Sequence, residues 1–221
     1  MLDNNFIKSY PNFLSPSLFK RLKVYVLSGN FPWWYTETDH NPDDPSLNQV
    51  NRLTKPILDK GLKLGTDMMT HVMYTPKGIE TNQFMGLLPI VDVIKDKEEL
   101  GYGRLLKLKL NCYSNHNEHR HLYRHTDFYD ETNNGEEAVF DFCTAVFCFT
   151  TDNGGTTVVD SDNKEHNFNT TENTLIVFNG KMIHGGFTQT NTNRRIILNI
   201  NFTTNFKGET MRDKFYETGR Y

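Results

Sequence analysis

Cysteine is scarce in this 221-residue chain. The three present, Cys112, Cys143 and Cys148, are an odd number that excludes a fully paired disulfide framework, so a reduced, cytoplasmic setting is the simpler expectation. Long apolar runs are missing as well. None approaches the roughly 20 residues needed to span a bilayer, and the opening stretch Met1 to Phe6 lacks the basic-then-apolar order of a signal peptide. No membrane partner is expected. There is little excess charge of either sign: 24 Lys and Arg against 27 Asp and Glu leave a formal charge of −3. This argues against broad nonspecific attraction to nucleic acid or to an anionic membrane surface. Internal repeats, low-complexity tracts and long linkers are absent. The sequons at Asn169 and Asn201 therefore read as accidents of a chain rich in Asn and Thr. What remains is 37% hydrophobic and 13% aromatic, enough for one folded domain over 1–221 with a real core.

The order of elements follows from hydrophobic periodicity. Up to about residue 102 the chain is expected to be mainly a helical support. Ser15 offers an N-cap and Pro16 a first helical position. Leu18, Phe19, Leu22, Tyr25 and Val26 then form one apolar stripe, with Gly29 placed to stop the helix. A second helix is expected over Leu47 to Lys63, interrupted by Pro56, and a third from near Pro89 through Ile90, Val91 and Ile94. From Gly103 the period becomes two. Leu106, Leu108, Leu110 and Cys112 share one strand face, and Lys107, Lys109, Asn111 and Tyr113 share the other. Further β-rich runs cover Phe140 and Phe142, Val146 to Phe149, Thr156 to Val159, Thr174 to Phe178 and Arg194 to Phe202. They are punctuated by turn signals such as Asn153-Gly154-Gly155. The fold class is α+β, with a C-terminal half (103–206) forming an antiparallel sandwich or jelly roll and a tail over 207–221.

Inside the β half lies His125-Thr126-Asp127. On a strand, residues two apart point the same way, so the imidazole and the carboxylate are offered to one point in space. Such a pair arises readily by chance, and three further features give it weight. His184 follows a strand and a turn, and a sandwich can return that strand end beside His125. Two histidines and a carboxylate form the facial triad of non-haem iron sites, which leaves coordination positions open. An arginine stands ten residues beyond His184, and a guanidinium inside a barrel can hold a carboxylate bidentately. Tyr113 and Asn111, on one face of the strand before His125, could hydrogen-bond an organic acid held at the metal.

The pattern His125-x-Asp127, His184, Arg194 resembles the signature of the Fe(II)/2-oxoglutarate-dependent dioxygenases. The stretch from Asn111 and Tyr113 to His125 and Asp127 is similar to the corresponding stretch of the prolyl hydroxylase branch. Asn111-x-Tyr113 also resembles the alkylated-nucleobase demethylases. The resemblance covers roughly 103–203 and implies a double-stranded β-helix with supporting N-terminal helices. It implies Fe(II) held by His125, Asp127 and His184, and 2-oxoglutarate held by Arg194 and Tyr113, with Asn111 beside them. The reaction it implies is oxidative decarboxylation of 2-oxoglutarate to succinate and CO2, with O2 as cosubstrate, coupled to hydroxylation of a C–H bond. A protein side chain is the first substrate class to consider, and a nucleobase or small metabolite the second. A cupin-like module that binds a metal or ligand without turnover is the rival of a different class. Arg194 is preferred to Arg195 because its spacing from His184 fits and because it shares a face with Ile196, Leu198 and Ile200. Arg195 would share its face with Ile197, Asn199 and Asn201.

The remaining features take simpler readings. Lys107 and Lys109 are expected to be ordinary solvated lysines. His116, His119 and His121 are expected on a solvated loop, and Trp33, Trp34 and Tyr35 in core beneath the first helix. The acidic residues Asp130, Glu131, Glu136 and Glu137 are expected in a solvated loop where an entrance lid would lie, which makes a basic substrate conceivable. The cysteines are expected as small strand-core residues.

Overall fold

Two long strands organise the molecule. β5 (Tyr102–Ser114) and β13 (Arg194–Thr204) pair antiparallel, with Cys112 opposite Ile196 and Leu110 opposite Leu198. Around them forms a large sheet in the order β1-β11-β8-β13-β5-β3-β2. Its other members are β1 (Ile7–Tyr10), β2 (Trp34–Thr36), β3 (Met68–Thr75), β8 (Phe142–Cys148) and β11 (Leu175–Asn179), while β4 (Gly78–Ile79) pairs with β3 alone. A second sheet holds β9 (Gly155–Val159) between β10 (Glu165–Asn169) and β12 (Ile183–Phe187). A short pair, β6 (Tyr129–Asp130) with β7 (Glu136–Glu137), stands apart. The computed structural model describes residues 2–36, 55, 59–65, 67–130, 136–137 and 141–204. Most of the helix expected over 47–63, the strand start at Phe140, Glu131 and the tail 207–221 lie outside the described residues.

Strict alternation gives the large sheet two working faces. On one, Leu108, Leu110, Cys112, Ala145, Phe147, Val177, Ile196, Leu198 and Ile200 are buried against helices α1 (Pro16–Leu27) and α2 (Gln83–Lys95). α1 starts at Pro16 as the sequence predicts and presents Phe19, Leu22 and Val26 inward. It ends at Ser28 in extended backbone, and Gly29 is not in the left-handed region. α2 differs from the sequence expectation, because it begins six residues before Pro89 and contains it. An internal proline costs a helix about 3 kcal/mol. Phe84, Leu87, Ile90, Val91 and Ile94, all buried on one side of α2, outweigh that cost.

On the other face, Tyr113, Val146, Cys148, Ile176, Phe178 and Ile197 pack against Val158 of the smaller sheet and Met182 just before β12. Two stacked antiparallel sheets with helices outside one of them make the double-stranded β-helix that the sequence predicts, within an α+β chain. The N-terminal third is less helical than expected. β1, β2 and β3 extend both edges of the large sheet, β3 pairing with β5 and β1 with β11. Of the Trp33-Trp34-Tyr35 group, only Trp33 packs on the core; Trp34 and Tyr35 lie on β2 at the sheet edge and are exposed.

Candidate metal centre

His184 sits within β12, and its neighbour across the ladder is not a regular strand but His125 in an isolated bridge. The two residues exchange both backbone hydrogen bonds, each N···O distance being 2.9 Å. Such a pair places its side chains side by side, and the two imidazole centroids lie 4.6 Å apart. The sequence expectation of a strand through His125 and Asp127 is therefore corrected. Asp127 lies in a bend two residues beyond the bridge. The carboxylate still arrives at the same point, with Asp127 Oδ2 3.5 Å from His184 Nε2 and Oδ1 3.9 Å from His125 Nε2. One ligand atom from each residue lies within 4.8 Å of the others, in the sole such group of three or more His, Cys, Asp or Glu side chains among the described residues.

The tautomers suit a cation. His125 Nδ1 lies 3.0 Å from the Tyr123 carbonyl, and His184 Nδ1 lies 3.0 Å from the Met182 carbonyl. A carbonyl only accepts, so each Nδ1 carries the proton and each Nε2 keeps a lone pair directed toward Asp127. Burial and the adjacent His184 push the His125 pKa down to about 4, against the pull of Asp127, which keeps that imidazole neutral at physiological pH. Burial would raise the Asp127 carboxyl, but His184, whenever its Nε2 takes up a second proton and donates, and the charges of Lys107 and of a protonated His125 hold it well below the usual range. Two imidazole nitrogens and one carboxylate could hold a divalent transition metal on one face. The His125 side chain is 41% exposed, against 6% for Asp127 and 8% for His184, so the centre opens toward solvent on the His125 side.

Asp127 is anchored by residues the sequence reading did not single out. Thr144 Oγ1 and Asn201 Nδ2 each donate to Oδ2 at 2.8 Å, and Asn201 Nδ2 also donates to Thr144 Oγ1 at 2.9 Å. The two stand opposite each other in the β8–β13 register. Lys107 Nζ approaches Oδ1 to 3.8 Å. Lys107 and Lys109 thus face into the space between the sheets, and the expectation that they are ordinary solvated lysines is corrected. The signal was available, because both share the β5 face of Tyr113.

The two arginines exchange places relative to the expectation. Arg194 is exposed at the start of β13, and the face it shares with Ile196, Leu198 and Ile200 looks toward the helices. Arg195, on the face of Ile197, Asn199 and Asn201, points between the sheets and is 1% exposed. The two residues do alternate as expected, but the Ile196, Leu198 and Ile200 face packs on the helices and the opposite face is the inner one. Arg195 Nε donates to Thr170 Oγ1 at 2.7 Å and Nη2 to Thr156 Oγ1 at 3.2 Å, while Nη1 is buried without a partner. The guanidinium carbon sits 5.1 Å above the Tyr113 ring, whose residue is its cross-strand neighbour. Gly154 makes room for it, because a Cβ there would come within 2.9 Å of Arg195 Cδ. Asp152, in the same turn, has its carboxyl raised by burial and drawn back by Thr150 and by the charge of Arg195. Asn111 Nδ2 donates to the Tyr113 hydroxyl at 3.1 Å, leaving Asn111 Oδ1 unpaired. Tyr113, Asn111 and an arginine do meet, and the arginine is Arg195.

The other histidines go elsewhere. His119 and His121 line a cavity of about 380 Å³ with Lys60, Arg124, Glu165 and Phe187. Alternation in β9 and β12 puts Thr157 and Phe187 on the outer face of the small sheet, opposite to Val158 and His184. Asn201, one of the two sequons, is fully buried and engaged with Asp127. All three cysteines are free and buried in strands, as expected. No helix among the described residues is long and apolar enough to cross a membrane.

Compared by sequence, no family model and no curated protein matches the chain. Solved structures do. The chain is similar to an oxidoreductase of the 2OG-Fe(II) oxygenase family from Burkholderia pseudomallei (TM-score 0.58, 12% identity, 93% of this chain and 89% of that one). It is similar to the non-haem α-ketoglutarate-dependent epimerase SnoN of nogalamycin biosynthesis (TM-score 0.57, 11% identity, 91% and 78%). It is also similar to AviO1 from Streptomyces viridochromogenes (TM-score 0.53, 10% identity, 93% of each chain). At these identities the likeness is one of fold, and the fold shared is the double-stranded β-helix described above.

Proposed function

We propose that the protein is a non-haem iron(II)- and 2-oxoglutarate-dependent oxygenase, with His125, Asp127 and His184 as metal ligands and Arg195, with Tyr113, as the anchor for 2-oxoglutarate. The observation that carries the proposal is the pairing of two sites between the same two sheets. Two imidazoles with free Nε2 atoms converge on a carboxylate, and from β13 of the facing sheet a buried guanidinium keeps one nitrogen without a partner. A binding module has no need of that second feature. A diacid cosubstrate needs a buried cation set apart from the metal.

Bound there, Fe(II) and 2-oxoglutarate would supply the oxidising chemistry: 2-oxoglutarate loses CO2 to become succinate, and O2 gives one oxygen atom to succinate and one to the substrate. The chain's own residues position and exclude. The Tyr123 and Met182 carbonyls fix the two ring orientations. Thr144 and Asn201 hold Asp127 Oδ2 and leave Oδ1 nearer to His125. Thr156 and Thr170 aim the guanidinium. Val146, Ile176, Phe178 and Ile197 keep the space between the sheets apolar behind the site. Within this class we favour hydroxylation of a protein side chain, because of the similarity of the Asn111–Asp127 stretch to the prolyl hydroxylases. A nucleobase or small metabolite is the second reading.

The test is addition of Fe(II) and 2-oxoglutarate without air, followed by a search for the weak visible charge-transfer band of the chelate. The band is expected in the wild type and absent from Asp127→Ala and His184→Ala. A folded wild-type protein without the band overturns the proposal. Succinate release across peptides, nucleosides and small metabolites then separates the substrate classes.

A further inference from the structure

β5 carries more charge into the cavity than metal and cosubstrate require. Alternation from Tyr113 places Asn111, Lys109 and Lys107 along one inner face. Lys107 ends at Asp127. Lys109 lies between the two anchored ends, opposite Asn199 of β13 and Val72 of β3. It is half-buried and has no hydrogen-bond or ion-pair partner among the described residues. Burial and the charge of Lys107 depress its pKa to about 8, with only Asp127 acting the other way. The wall around it is polar and unsatisfied: Asn111 Oδ1, Asn199 Oδ1 and Asn201 Oδ1 are buried without partners. A cation taken from water without a counter-charge is costly, and natural cavities that hold one compensate it with a bound group. Lys109 lies four positions from Tyr113, about 13 Å along the strand, so it does not belong to the Arg195 end.

We propose that Lys109 is a specificity-determining residue that receives an anionic group of the primary substrate, a carboxylate or a phosphate. The orphaned amide oxygens around it are placed to accept from N–H or O–H groups next to that anion. The inference rests on the oxygenase reading and deepens it.

The experiment uses the full chain loaded with Fe(II) and 2-oxoglutarate under nitrogen, with sulfate as the probe because it is a poor iron ligand. Calorimetric titration is expected to show sulfate binding to the wild type, at least tenfold weaker binding to Lys109→Met, and recovery to within threefold in Lys109→Arg. The 2-oxoglutarate affinity read from the charge-transfer band should stay within twofold in all three. No sulfate binding to the wild type, or equal binding to Lys109→Met, overturns the proposal. So does a matching loss of 2-oxoglutarate affinity in Lys109→Met, which would assign the lysine to the cosubstrate. Absence of the band in the wild type instead refutes the oxygenase reading itself. Should Lys109→Met fail to show the band, Lys109→Gln takes its place under the same criteria. Succinate release with free organic acids and glutamyl peptides, each compared with its amide, then distinguishes a metabolite from a protein side chain. Equal stimulation by acids and amides counts against Lys109.

Discussion

Exchanging one arginine for its neighbour is the sharpest perturbation available. Arg194 and Arg195 are adjacent in sequence, yet one is exposed and the other is 1% exposed among Tyr113, Thr156 and Thr170. If Arg195 anchors the far carboxylate of 2-oxoglutarate, Arg195→Met leaves that carboxylate desolvated against an apolar chain. Truncating one partner of a buried, hydrogen-bonded charge pair costs about 2–5 kcal/mol. At about 1.4 kcal/mol per tenfold, the dissociation constant for 2-oxoglutarate should rise roughly thirtyfold to several thousandfold. Affinity for the metal alone should change by less than about threefold, because no nitrogen of Arg195 contacts a ligand residue. Arg194→Ala removes an exposed side chain and should leave both affinities as they are. The assay is anaerobic titration of 2-oxoglutarate followed by the chelate absorbance, with metal affinity measured separately by competition with a chromophoric chelator. A large effect at Arg194 with none at Arg195 would refute the account of which face of β13 looks inward. Equal losses of metal and cosubstrate affinity in Arg195→Met would show that the side chain supports the fold rather than the diacid.

Three other expectations follow from the same geometry. Lys109 releases its proton at about 8 in the folded chain, against 10.5 when free. The cost of burying its charge is therefore full below pH 8 and fades as pH rises toward 10.5, and over two and a half units this amounts to at most about 3 kcal/mol. Lys109→Met should accordingly raise the melting temperature at pH 7 by several degrees, and the gain should shrink by pH 10; a gain independent of pH would count against a buried charge. Asn201→Ala removes a donor to Asp127 Oδ2 and to Thr144, and loss of such support costs about 10–100-fold in metal affinity. Calorimetry with Zn(II) checks this, and unchanged affinity would mean that Thr144 holds the carboxylate alone. Burial raises the Cys112 and Cys148 thiols to about 11 and the Cys143 thiol to about 12. A thiol-specific reagent at pH 8 should therefore label none of these three in the native protein and all of them after denaturation.

What could be read in advance followed the strength of local periodicity. The leucines of β5 alternate, and the runs ending at Val159, Phe178 and Phe202 are short, β-rich and bounded by turn residues, so the β-helix was legible. β3 was not: Met68 to Thr75 mixes Met, Thr, His and Tyr and becomes a strand because it pairs with β5. The polar β10, Glu165 to Asn169, likewise owes its form to pairing with β9. The triad residues His125, Asp127 and His184 could be picked out by type and order, and the structure brings them together. Their mutual placement rests on one non-local bridge that no window of sequence contains. Which arginine of β13 points between the sheets is hidden for a different reason. Period two sorts residues into two sets without saying which set meets the second sheet and which meets the helices. Lys107, Lys109, Asn199 and Asn201 gave the answer in retrospect, because the more polar face is the one that lines the cavity. Val146, Cys148, Ile176 and Phe178 on neighbouring strands disguised it.

Charge balance inside the cavity links these observations. Among the described residues its lining contributes three cations, Lys107, Lys109 and Arg195, and two carboxylates, Asp127 and Asp152 in the turn beside Arg195. Lys107 is matched by Asp127 at 3.8 Å, and Arg195 has Asp152 close enough to shift its titration. A divalent metal and a dianionic cosubstrate add equal and opposite charge, so loading the site leaves the surplus of one positive charge where it was. That surplus is Lys109, the cation without a partner. In a low-dielectric space an excess charge either sheds its proton or attracts a counter-ion. With its proton held to only about pH 8, Lys109 can do either near neutrality, and an anionic substrate would decide between them by raising the proton affinity of the amine as it binds. Substrate binding should therefore take up protons in a buffer at pH 8 to 9, and calorimetry in buffers of different ionisation enthalpy would read that uptake directly. Binding without proton uptake in that range would show that the amine is already charged and matched, and the cavity would then need no anion from its substrate.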